Sequence, residues 1–127
     1  MNVVRDPCGP RDDLLDPPPG PSVDDLVAAI SGLAGFEATA PVEIIVDGFR
    51  GKELTVTAPQ DAACTFTWAT PRRTNGVGPG EVNLLRIVDV DGTRVVVAGA
   101  YHPEDPEHAE NLAAIQQIIA SVHFTGD

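Results

Sequence analysis

The run EVNLLRIVDVDGTRVVVAGAY, Glu81 to Tyr101, constrains this chain more than any other stretch: two long apolar segments meet at Asp91-Gly92. A two-residue hairpin turn needs positive φ, which Asp and Gly tolerate, so an Asp-Gly pair between Val-, Ile- and Leu-rich runs is a strong hairpin signal. On the first arm Leu84 and Leu85 point to opposite faces, followed by Ile87, Val88 and Val90; on the second, Val95, Val96, Val97 and Ala98 run without a polar break. Such runs suit a hairpin covered on at least one face throughout, so the stretch reads as core.

Around it the other elements fall into place. Ser22 begins a helix, with Asp25 as a capping-box-like partner, and Val23, Leu26, Val27, Ile30 and Leu33 form one apolar stripe that Gly35 ends. Val42, Ile44, Ile45 and Val46 predict a strand. It turns through the residues from Asp47 to Gly51 into Leu54, Val56 and Ala58, which alternate with Glu53, Thr55 and Thr57 as a half-buried strand does. Cys64, Phe66 and Trp68 share a face of a short segment, and a turn-rich loop runs from Thr70 to Gly80. Asp105 is the expected N-cap of a last helix with Pro106 in its first position; Leu112, Ile115, Ile118, Ile119 and Val122 form its stripe. The expected class is α+β: an antiparallel sheet of about five or more strands flanked by an N-terminal and a C-terminal helix.

The 127 residues fit one domain, here 22–127, preceded by a Pro-rich arm, 1–21. Asp6 to Pro21 holds six prolines, three of them consecutive, which favours an extended spacer. A formal charge of -11 repels nucleic-acid phosphate and anionic membrane surfaces alike, and Arg72-Arg73 is the only adjacent basic pair, so no nucleic-acid partner is expected. The acidity suits a basic protein partner. No apolar run is long enough to span a bilayer, so no direct membrane insertion of this segment is expected, and Met1 is followed by neither a charged n-region nor an apolar h-region. Two explanations compete: a cytosolic protein, or the mature part of an exported or anchored one whose leader was replaced by a start methionine.

Nothing in the sequence amounts to a catalytic signature. His102, Glu104, Glu107 and His108 place nitrogen and oxygen donors within seven residues, but capping and solvation account for them better, and no metal or other cofactor is expected. His123 suits the negative end of the last helix. Gly76 to Gly80, GVGPG, lacks the Lys-Ser/Thr and the helix of a phosphate-cradling loop. Ser22, Ser31 and Ser121 belong to helices or their caps, and no GxSxG elbow is present. Asp89 and Asp91 could form an acid pair, although Asp91 has a sufficient role in the turn. Cys8 and Cys64, the only cysteines, permit one disulfide outside the cytoplasm, or two unrelated thiols inside it. In the chain-entropy view such a long closed loop stabilises by about 4 kcal/mol.

The segments GPSVDDLVAAISGL, TAPVEIIVDGFRGKELTVTAP and GEVNLLRIVDVDGTRVVVAGAYHPEDPEHAENLAAIQQIIASVHF resemble an uncharacterised extracytoplasmic domain of actinobacterial exported and single-pass membrane proteins. The most specific pieces are Gly48, Gly51 and Lys52 and the run from Val90 to Arg94. That resemblance implies a Cys8–Cys64 disulfide, a localisation outside the cytoplasm, secreted or membrane-anchored, and a Met1 that begins a trimmed chain. The element order is also similar, more loosely, to the Mog1/PsbP-like α/β sandwich, whose members serve as binding or assembly modules. Both likenesses imply a non-enzymatic binding or sensory domain. The partner would be a protein, an envelope component or a small ligand, met at the loop from Thr70 to Gly80 and the connection from Tyr101 to Glu107, both loops at sheet ends, with Trp68, Arg72, Arg73, Tyr101, His102 and Glu104 as the candidate surface. A metal-assisted or thiol-dependent enzyme using His102 and His108, or a free Cys64, is the alternative.

Overall fold

In a computed structural model of the chain, residues 2–3, 19–33, 35–60, 66–69, 74–76 and 78–121 are described, with 2–3, 66–69 and 74–76 given by their backbone pairing. The elements in chain order are β1 (Asn2–Val3), α1 (Val23–Ser31), β2 (Glu37–Ala38), β3 (Val42–Val46), β4 (Phe49–Thr57), β5 (Phe66–Ala69), β6 (Thr74–Gly76), β7 (Val82–Val90), β8 (Thr93–Tyr101) and α2 (His108–Ala120). The five strands β2, β3, β4, β7 and β8 form an antiparallel sheet in which β2 and β3 both pair with β4, followed by β7 and β8. With a helix on either side of that sheet in the sequence, the fold is α+β as expected.

The central hairpin is β7 and β8, in register from Val82↔Tyr101 to Val90↔Thr93. Asp91 and Gly92 have φ of 52° and 86°. The first hairpin repeats that turn: Asp47 and Gly48 have φ of 52° and 84°, and Val46 pairs with Phe49. This corrects the longer turn through Gly51. A two-residue loop with both φ positive matches the twist of the flanking strands, so the ladder resumes at once. Because Gly51 pairs with Val88, the two Asp-Gly turns lie at the same end of the sheet.

Strand β7 is buried on both faces. Leu85 and Ile87 face α1, where Leu26, Val27, Ile30, Leu33, Leu54 and Val56 complete a core. Leu84 and Val88, of opposite parity, are buried on the other face. There α2 packs on β8: a Cβ at Gly99, opposite Leu84, would overlap Ile115 Cγ2. The two helices therefore cover opposite faces. Each fully buried Leu or Ile contributes about 1.5–3 kcal/mol of transfer free energy, which is why the β7 run has no polar alternation.

Between Ala38↔Val56 and Val42↔Glu53 three residues of the edge face two of β4, which makes a bulge at Thr39–Pro41. Proline has no N–H to give a ladder and is accommodated at such an edge irregularity. The Thr39 N–H donates to the Thr55 carbonyl, and the Thr39 hydroxyl accepts the Thr55 N–H, each at 2.9 Å. The bulge shifts side-chain parity, so Val46 is buried on the α2 face and Ile45 stands exposed on the α1 face.

Other boundaries differ from expectation. Helix α1 ends at Ser31 with Gly32 as its C-cap, three residues before Gly35, because Gly is a poor helix former; Leu33 is buried from beyond the helix. Gly35, at φ 80°, serves the turn that follows. Helix α2 begins at His108, later than an Asp105 cap implies. Asp105 instead closes a turn, its carboxylate accepting the Glu107 N–H and its carbonyl the His108 N–H. In α2 Ile119 is buried and Leu112 and Ile115 are half-buried, while Ile118 is exposed, rotated off the stripe by one residue of helix. Val122 lies outside the described residues. The expected loop from Thr70 contains a strand, β6, which pairs with β5 in a three-stranded antiparallel sheet of order β1-β5-β6.

Candidate functional site

The end of the sheet that carries both Asp-Gly turns is also where α1 starts, and between them lies a cleft. Its wall is Pro21, Ser22, Val23 and Asp24; its floor is Arg50, Gly51 and Lys52 of β4 with Asp89, Gly92 and Arg94 of the central hairpin, enclosing about 270 Å³. Three of the chain's eight basic residues meet here, in a protein of net charge -11.

Strand register explains the convergence. Ile45 pairs with Arg50 and Asp89 with Arg94, and one step beyond Gly51↔Val88 sets Arg50 beside Asp89. A row of Ile45, Arg50, Asp89 and Arg94 thus crosses four strands on the α1 face. In the neighbouring row Lys52 pairs with Ile87, whose side chain lies under α1. The helix covers the apolar rows and stops short of the charged one.

Local bonds hold the wall to the floor. Ser22 caps α1 in a reciprocal capping box: the Asp25 N–H donates to Ser22 Oγ at 3.0 Å and the Ser22 N–H to Asp25 Oδ2 at 3.1 Å. Arg94 Nη1 donates to the carbonyls of Gly20 and Ser22, joining the start of the helix to β8. Asp89 Oδ1 accepts the Gly92 N–H at 2.7 Å and so buttresses the turn; this is a turn role for Asp89 as well as Asp91. Lys52 Nζ lies 2.6 Å from Asp24 Oδ1. That hydrogen bond is the main reason the Lys52 pKa is raised above its ordinary 10.5; desolvation opposes it, and the charges of Asp24 and Glu43 add to it. Arg50 is exposed and has no ion-pair partner among the described residues.

Gly51 fits the floor for a steric reason. A Cβ there would overlap the Ile87 carbonyl oxygen and lie 2.9 Å from Val88 Cα, so β4 and β7 come closer at this point than any side chain allows.

Of the surface expected from the sequence, Tyr101, His102 and Glu104 lie at the opposite end of the sheet. Tyr101 ends β8 opposite Val82 and is half-buried. His102 Nε2 is 3.5 Å from Glu81 Oε1, and its ring lies over Gly78, where an added Cβ would be 2.9 Å from His102 Cε1. The loop ending at Gly80 and the connection after Tyr101 therefore meet. Glu104 is exposed in the turn before α2. Trp68 is in β5 through its backbone, pairing with Val3. Arg72, Arg73, His123 and both members of the Cys8–Cys64 pair lie outside the described residues. His108 Nδ1 is 3.0 Å from the Asp105 carbonyl and turns to its own helix start, and among the described residues no three His, Cys, Asp or Glu side chains converge as a metal site would require.

Sequence reasoning missed Arg50, Lys52 and Arg94 as a group. In the sequence each of them stands only as part of its own turn or hairpin. The available signal was the pair of Asp-Gly turns with a cation two or three residues after each, but whether those cations share a face depends on how the two hairpins pair.

In comparison with known proteins, no family model, no curated protein and no solved structure matches this chain. Among the described residues no helix is long and apolar enough to cross a membrane.

Proposed function

We propose that this chain is a non-enzymatic, extracytoplasmic binding or sensory domain of a larger exported or membrane-anchored protein, and that it meets its ligand in the cleft between the start of α1 and the two Asp-Gly turns. The observation that carries the reading is the gathering of Arg50, Lys52 and Arg94 in one cavity of an acidic chain. The three side chains stand on regular strands, and Arg94 and the capping box fix the wall beside them. Recognition by polar groups held on a rigid frame loses little ordering entropy on binding. The extracytoplasmic part rests on the sequence resemblance and on the disulfide it implies.

A small-fragment screen by amide NMR, using neutral and charged compounds together, tests the location. Shifts at residues 21–24, 50–52 and 89–94 support it; shifts confined to 78–81 and 101–105 overturn it and move the function to the opposite end. Counting thiols in oxidatively purified, denatured protein tests the compartment. A Cys8–Cys64 link is expected, and two thiols that never pair, even after mild oxidation, would count against it.

A further inference from the structure

Taking the cleft as the ligand site, we infer that it recognises a small carboxylate or phosphate group, held by Arg50 and by Lys52 after the Asp24 carboxylate is displaced. Lys52 already holds an anionic group. Asp24 Oδ1 sits 2.6 Å from its ammonium, and the Asp24 side chain is 73% exposed while that of Lys52 is 27% exposed. A carboxylate so open to water loses little by swinging away, since exposed ion pairs are weak. Lys52 stands on a central strand, so its ammonium remains in the cleft.

Arg50 supplies what Asp24 does not use. Its guanidinium presents planar, paired N–H donors that match the two oxygens of a carboxylate or phosphate, and it precedes Lys52 by two residues on the same face of β4. An anion entering the cleft exchanges one carboxylate for another on Lys52 and adds a bond to Arg50. Arg94 is committed to the Gly20 and Ser22 carbonyls and contributes charge and a fixed wall. At about 270 Å³ the space suits a small molecule or the head of a larger one. The net charge of -11 opposes anions at long range, so retention depends on these short contacts.

The test is an amide NMR titration of the full chain with inorganic phosphate, with acetate, and with neutral acetamide, at constant ionic strength set by chloride. Saturable shifts at residues 22–24 and 50–52 with phosphate or acetate are expected, and the stronger of the two identifies the preferred group. Arg50→Ala should weaken binding by about tenfold to a hundredfold, the scale of a charge-assisted hydrogen-bonded pair. Asp24→Asn should tighten it by about two- to fivefold, the strength of an exposed pair released. Glu104→Gln, the same change in net charge at the far end, should leave it unchanged. Arg50 is exposed, so its variant keeps the spectrum of the folded chain. Shifts that do not saturate, or that chloride reproduces, overturn the inference. Equal binding of acetamide in the cleft overturns oxyanion recognition and leaves the cleft as the ligand site, whereas an unchanged affinity in Asp24→Asn overturns the displacement.

Discussion

Gly99 of β8 lies directly beneath Ile115 of α2, so closely that a methyl group on residue 99 would overlap the Ile115 side chain. The helix rests on a strand position without a side chain, and its distance from the sheet is set there.

Gly99→Ala should therefore destabilise the protein by about 1–3 kcal/mol, the cost of overpacking a fitted contact. Combined with Ile115→Ala, the loss should be smaller than the sum of the two single changes. Urea unfolding of the four proteins in the cycle checks this, and strict additivity would mean that the two residues are not in contact.

Gly48 and Gly92 have φ of 84° and 86°, and nothing lies within 4 Å of a Cβ added at either. Their substitution by Ala should cost about 1–2 kcal/mol each, through backbone conformation alone. Chemical denaturation measures the loss, and the two variants should match within experimental error.

Leu85 is wholly buried between β4, β8 and α1, whereas Ile118 is 67% exposed. Leu85→Ala should lose about 2–5 kcal/mol. Ile118→Ala should stay within about 0.5 kcal/mol of the parent, as surface changes do. A large loss at Ile118 would show that its side chain is covered in solution.

Lys52 is the only lysine of the chain, and its folded pKa is raised above the ordinary 10.5. A raised pKa contributes stability that is full below the unfolded value and is lost as pH rises through the folded one. Thermal melting from about pH 9 to pH 12 should show this alkaline loss. Asp24→Asn, which removes the main cause of the shift, should flatten it.

Much of the architecture was readable from local signals. Asp91-Gly92 marked its hairpin because positive φ is a property of the residues themselves, and Ser22 with Asp25 marked the start of α1 because a capping box closes within four residues. Leu54, Val56 and Ala58 are buried as their alternation required. Reading failed where a boundary depended on competition between neighbours: Asp105 had the chemistry of an N-cap but closed a turn ahead of the helix. At Ile118 the apolar spacing is wider than the face of α2 that the sheet covers, and the side chain is exposed.

The sequence by itself determined the turns, the capping box, the α+β class and the central buried strand, because each follows from bonds and burial within a few residues. Only the tertiary structure decided that the two helices cover opposite faces, that a bulge at Thr39–Pro41 turns Ile45 outward, and that Arg50, Lys52 and Arg94 share one cleft. Those facts depend on register between strands far apart in the chain. A shift of one residue moves a side chain to the other face, and that register is fixed by packing across the whole sheet.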